Sequence, residues 1–253
     1  MIDLTDYTTI PPELAVVVRD KFKRLCIKKE LGKVDSPWYE WDGCCKCNAD
    51  GACELYKAVK DILNKEEIVC YHATKVLYPK EIKESGLHIN DWARYSSDIR
   101  KTLIKGGIDS TTINKALQQI KDEKHRKEKG LSDQICFFAN NNSFCVKNAL
   151  GYDQFCVNIG GELARGALER TMPDVYRVLR NMGTSLLIKF VVPYTWISDY
   201  REKTIISCFI YHEAAAYLRD YLCDIEFDGA VTRDIPASLI LDIIEVPTPD
   251  YYD

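Results

Sequence analysis

The stretch that most constrains this chain is Glu67 to Ile89, EIVCYHATKVLYPKEIKESGLHI. Ile68, Val69, Cys70 and Tyr71 form a short apolar, β-prone run, which predicts a buried strand. His72, Ala73 and Thr74 stand at its end. Pro79 suits the first turn of a short helix, Ile82 gives that helix an inward side chain, and Ser85-Gly86 closes it. A polar trio at the mouth of a strand, ahead of a small helix, is a common place for ligand contacts. A lone histidine there is more often a satisfied core residue. Here His-x-Thr, the helix and Gly86-Leu87 occur together, and the combination favours a site.

With 253 residues the chain can bury one large domain, or one domain and an extension. The net charge of -4 exerts no global pull toward nucleic acid or acidic membranes. No apolar run is long enough to span a bilayer. The start, MIDLTDYTTIPPEL, carries acids and lacks a basic and then apolar leader pattern, so an intracellular, cytoplasmic protein is expected. The eleven cysteines fit that setting as reduced apolar residues, because Cys70, Cys136, Cys156 and Cys208 fall inside predicted strands and helices.

Leu14, Val17, Val18, Phe22 and Leu25 recur at helical spacing, predicting a helix over 13–31 that Gly32 ends. Cys44 and Cys47 stand at C-x-x-C spacing, with Cys53 following. Two thiolates from one tight turn can chelate zinc, but no second pair or histidine lies near, so reduced thiols in a turn are preferred over a structural metal. A helix over 55–63 leads into the His72 strand. Asp109-Ser110-Thr111 caps a helix over 113–127, whose KDEKHRKEK end at 121–129 reads as a solvated face. Gln134–Ala139 predicts a second strand, and 143–150 a short helix. Phe155–Ile159 predicts a third strand, followed by Gly160-Gly161-Glu162 and helices over 163–168 and 175–181. Gly-Gly permits close backbone approach to a ligand, and Glu162 is a carboxylate at a helix start. Ser185–Val192 is a fourth strand and 204–222 an amphipathic helix. His212-Glu213 does not complete H-E-x-x-H, because Ala216 stands where the second histidine belongs. Strands over 225–232 and 241–246 close the chain. Short strands interrupted by helices, without regular alternation, predict an α+β fold. No Walker loop or G-x-G-x-x-G is present.

The His72-x-Thr74 strand with its helix and Gly86-Leu87 resembles the first motif of the ADP-ribosyltransferase superfamily. The 134–139 strand resembles its second motif, and Ile235-Pro236 resembles the turn between a strand bearing a catalytic acid and a final strand. The resemblance implies two small packed sheets, split around an NAD cleft, over residues 67–253, with residues 1–66 as an N-terminal helical and Cys-rich extension. It implies NAD as a substrate, with His72, Tyr71 and Thr74 near its ribose. Phe137, Phe138 and Phe144 are candidates to stack on nicotinamide, and Arg165 or Arg233 to meet the pyrophosphate. The carboxylate facing the developing sugar cation would be Glu162, Asp228 or Glu226. Asp228 departs from the usual glutamate by one methylene. The implied class is an intracellular toxin, of toxin–antitoxin or phage-defence type, that modifies RNA, DNA or protein and has an antidote protein as partner. An RNA 2′-phosphotransferase and a catalytically silent nucleotide- or partner-binding module remain as alternatives. An insertion such as 90–130 would shape substrate access.

Overall fold

The computed structural model describes residues 1–30, 54–89, 91–127, 134–140, 155–218, 225 and 227–247, without the side chains of 25–30 and 199–201. Cys44, Cys47, Cys53, Phe144 and Glu226, and the helix expected over 143–150, lie outside the described residues. Helices and strands mix in an α+β arrangement. The chain divides into two compact units, one of residues 1–69 and 193–229, the other of 70–192 and 230–253. The boundary expected at 66/67 falls beside this division. Periodicity alone gave no sign that 193–229 returns to the first unit.

In the first unit, α1 (Pro12–Glu30) packs on α2 (Glu54–Leu63) and on α8 (Asp199–Leu218), and α2 also meets α8. Leu14, Val18 and Phe22 recur four apart and are fully buried, as one stripe of a helix must be. Ile2, in the irregular lead, makes a parallel bridge to Ile68, its amide donating to the Glu67 carbonyl at 2.7 Å. His212 and Glu213 are buried on α8. The His212 ring lies 4.6 Å from that of Tyr7, and Glu213 faces Arg19 at 4.0 Å.

The strands β1 (Glu67–Val76), β2 (Ile135–Phe138), β3 (Thr184–Pro193), β4 (Asp228–Val231) and β5 (Ile240–Val246) form one sheet in the order β4-β2-β1-β3-β5. Among the described residues this replaces the two packed sheets expected. β1 and β3, ten residues each, are neighbours, and their hydrogen bonding joins the β4-β2 side of the sheet to β5. β1 runs antiparallel to β2, with Tyr71 opposite Phe138, and β3 antiparallel to β5, from Ser185 opposite Val246.

The second unit's helices are α3 (Pro79–Ser85), α4 (Trp92–Lys105), α5 (Ser110–Lys127), α6 (Gly161–Leu168) and α7 (Pro173–Asn181). Asp91 caps α4 through the Arg94 amide, and Asp109 accepts from the amides of Thr111 and Thr112 at the start of α5. Ile99, Leu103, Ile113, Leu117, Ile120, Leu168 and Leu179 build the core these helices share.

Residues 155–159 correct the sequence reading. Phe155 is half-buried and Cys156 to Ile159 are buried, as an apolar run should be, but a 3-10 turn followed by bends stands there instead of a strand. Side chains, not a neighbouring strand, satisfy much of their backbone. Ser185 Oγ donates to Cys156 O at 2.7 Å, Lys75 Nζ to Val157 O at 3.4 Å, and Asn158 Nδ2 to Ile159 O at 2.9 Å. The charged stretch over 121–129 is a second correction. Glu123 is buried, paired with Arg126 and, at 3.7 Å, with Lys127, so this part of the helix is not simply a solvated face.

Candidate functional site

A cavity of about 400 Å³ opens within the second unit. One wall is the second half of β1, where His72 and Thr74 share a face, two residues apart; the strand runs on to Val76, so His72 lies within it and not at its end as the sequence suggested. Gly86 leads the chain past it. Gly86 ends α3 at φ +83°, and a Cβ there would lie 2.0 Å from the Ile235 carbonyl oxygen, so glycine is required. That closeness lets Leu87 and Ile235 exchange amide–carbonyl hydrogen bonds of 2.9 and 2.8 Å. The Gly-Leu of the opening motif and the Ile-Pro of the closing one are thus paired in space.

His72 Nδ1 lies 2.7 Å from the Cys136 carbonyl oxygen. A carbonyl only accepts, so Nδ1 carries the proton and Nε2 keeps its lone pair. The ring is half-buried by accessible surface yet closely surrounded by protein. This burial lowers its pKa below the ordinary 6.5, while the carbonyl contact works in the opposite direction. Histidine at this position is therefore a neutral hydrogen-bond acceptor near pH 7.

Opposite β1, the start of α6 brings Gly160, Gly161 and Glu162 to the cavity. Gly160 sits at φ +83°, where a Cβ would meet Ile99, Ala164 and the Tyr95 hydroxyl within 2.8 Å. Its requirement is thus internal packing. Tyr95 donates to Gly160 O at 2.8 Å, and burial pushes its own pKa up. Glu162 is exposed and pairs with Lys127 Nζ at 2.9 Å. Trp92, Arg94 and Tyr95 of α4 and Lys124 and Lys127 of α5 complete this side. Trp92 and Tyr95 stack at 6.0 Å with their planes 25° apart. Lys75 is buried beneath the site. Its amine donates to the Val157 and Arg180 carbonyls, and burial lowers its pKa.

The cavity therefore brings together His72, Thr74 and Glu162 of the residues singled out in the sequence. Tyr71 is buried on the other face of β1, with Lys189 Nζ 5.6 Å from its ring centre. Phe137 is a core residue set edge-on to Phe190, and Phe138 packs against Phe155, which itself lines the cavity. Arg165 lies half-buried on α6, and Arg233 is exposed after β4, both away from the lining. Asp228 is exposed at the first position of β4. Trp92, Tyr95, Lys124 and Lys127 were not singled out, because no helix was expected over 92–105 and the charged end of the 113–127 helix read as a solvated face. The only hint was the general expectation that 90–130 shapes access. Among the described residues no cluster of three or more His, Cys, Asp or Glu could hold a metal ion. No helix among them is long and apolar enough to cross a membrane. Set against family models, curated proteins and solved structures, the chain matches none of them.

Proposed function

We propose that this chain transfers ADP-ribose from NAD to a macromolecular acceptor, in the manner of the superfamily its motifs resemble. The observation that carries the reading is the meeting of His72, Thr74 and Glu162 in one cavity of about 400 Å³, a size ordinary for small-molecule sites. A neutral His72 offers Nε2 to a ribose hydroxyl, and Thr74 can bond the same sugar. Glu162 supplies negative charge where nicotinamide departure leaves a positive sugar centre, provided Lys127 releases it. Trp92 offers an aromatic face, and Arg94, Lys124 and Lys127 offer cations for the pyrophosphate. Those same cations favour one second reading, an RNA 2′-phosphotransferase, which needs them to hold phosphate. The proposed biological setting is a toxin restrained by an antidote protein.

The test is nicotinamide release from NAD, together with labelled NAD incubated in whole-cell lysate and then digested by nuclease or by protease. Label lost to nuclease identifies a nucleic-acid acceptor, and label lost to protease a protein one. His72→Ala is expected to slow release by about 100-fold or more while keeping the circular dichroism spectrum. NAD bound without release points to a silent binding module, and phosphate removed from 2′-phosphorylated RNA to the second reading.

A further inference from the structure

The Leu87–Ile235 pairing has a chemical consequence on its two flanks. It sets His88 against Asp234, with His88 Nδ1 2.7 Å from Asp234 Oδ2. The other carboxylate oxygen accepts from the Ile89 amide at 2.9 Å. Asp234 is thus held from two sides. The amide and the imidazole keep its carboxyl below the usual carboxylate range, and Arg94 adds to this from α4. An ionised carboxylate on Nδ1 requires a proton there, so the tautomer of the neutral ring is the one whose lone pair is on Nε2. His88 lines the cavity, and its Nε2 is buried with no hydrogen-bond partner. A buried acceptor without a donor is unfavourable, and a donor carried in by the cavity's occupant removes that penalty. The arrangement has the parts of an activated base: an imidazole fixed in one tautomer by a carboxylate, with its other nitrogen unclaimed.

We propose that His88 is the base that takes the proton from the attacking group, and that Asp234 is its positioning residue. The inference rests on the ADP-ribosyl-transfer reading. In the step, the oxygen or nitrogen of the acceptor forms a bond to the ribose carbon that carries nicotinamide. The bond to nicotinamide breaks, and its electron pair leaves with the nicotinamide, which becomes neutral. The acceptor's proton passes to His88 Nε2 and from there to solvent. His72 holds the sugar and Glu162 faces its charge, so neither is needed for this transfer.

Water and azide separate the base from the rest of the site, since water must lose a proton to attack and the azide anion has none to lose. With NAD in buffer, His88→Gln is expected to lower nicotinamide release about 100-fold. Adding sodium azide should restore the rate in the variant, with azido-ADP-ribose as product. Asp234→Asn should show a smaller loss, about 10-fold, rescued in the same way, and it serves as the decisive variant if His88→Gln melts early. Wild-type release rates in either well-folded variant overturn the proposal, as does a loss that azide does not repair. No release by the wild-type protein in buffer, together with no labelling in lysate, overturns the transfer reading and this one together. Normal wild-type release with an indifferent His88 overturns this one alone.

Discussion

Ile68–Tyr71 and Phe155–Ile159 are both short apolar runs beside polar residues, and both are almost wholly buried. One is a strand and the other a 3-10 turn followed by bends. Ile68–Tyr71 belongs to a ten-residue extended segment, where Ile2 receives the Val69 amide at 2.8 Å and β2 pairs at Tyr71. Phe155–Ile159 ends in Gly160 and Gly161, both at positive φ, which turn the chain into α6 after five residues. Turned away by those glycines, it draws hydrogen bonds from Ser185, Lys75 and Asn158 instead of from a strand. Burial of backbone is tolerated either way, provided its polar groups are matched. Apolar sequence thus sets burial, while the available partners set conformation.

Substitutions in the two runs should fail for different reasons. Ile68→Ala removes fully buried methyl groups from a strand and should destabilise the protein by about 3 kcal/mol, read by urea denaturation. A loss below about 1 kcal/mol would mean that packing is not what holds β1. Asn158→Ala deletes the donor to Ile159 O and Gly161 O and should cost about 2 kcal/mol, although it removes little apolar surface. If the cost is negligible, water supplies those hydrogen bonds and the contrast between the runs weakens. Ser185→Ala removes one donor to Cys156 O and should cost about 1 kcal/mol, with amide exchange accelerated around residues 155–161.

The smallest effect is that of pH at His72 in β1. His72 has its pKa lowered in the folded state, so the unfolded chain binds the proton more readily. Stability is full above the unfolded value of about 6.5 and declines as pH falls from there toward the lowered folded value, below which it levels off. His72→Gln should flatten that part of the stability–pH curve, by less than about 1 kcal/mol if only the partly exposed ring contributes. An unchanged curve would show that burial of the ring does not disfavour its charged form.

Much of the fold was legible because it rests on local signals. Pro79, Ser85 and Gly86 bound a helix by their own backbone preferences, and Leu14, Val18 and Phe22 mark a buried stripe by spacing alone. The candidate site was legible where its residues sit in one continuous motif, as His72 and Thr74 do, both of which line the cavity. Glu162 was singled out from its place after Gly-Gly, and its ion pair with Lys127 came only with the fold. Phe137 and Phe138 were plausible stacking residues by type, but the pairing of Phe137 with Phe190 depends on how β2 and β3 sit in the sheet.

By itself, the sequence determined which segments are buried, where most helices and strands lie, and that β1 carries the polar residues His72 and Thr74 after an apolar run, since these follow from residue type and short-range periodicity. Tertiary structure alone decided that 155–159 turns instead of extending, that Glu123 is buried, and that Trp92, Lys124 and Lys127 reach the cavity of His72. It also brought Asp234 to His88 across 146 positions of chain. Those outcomes depend on which distant donors, acceptors and charges meet, and a local pattern carries no record of a partner that far away.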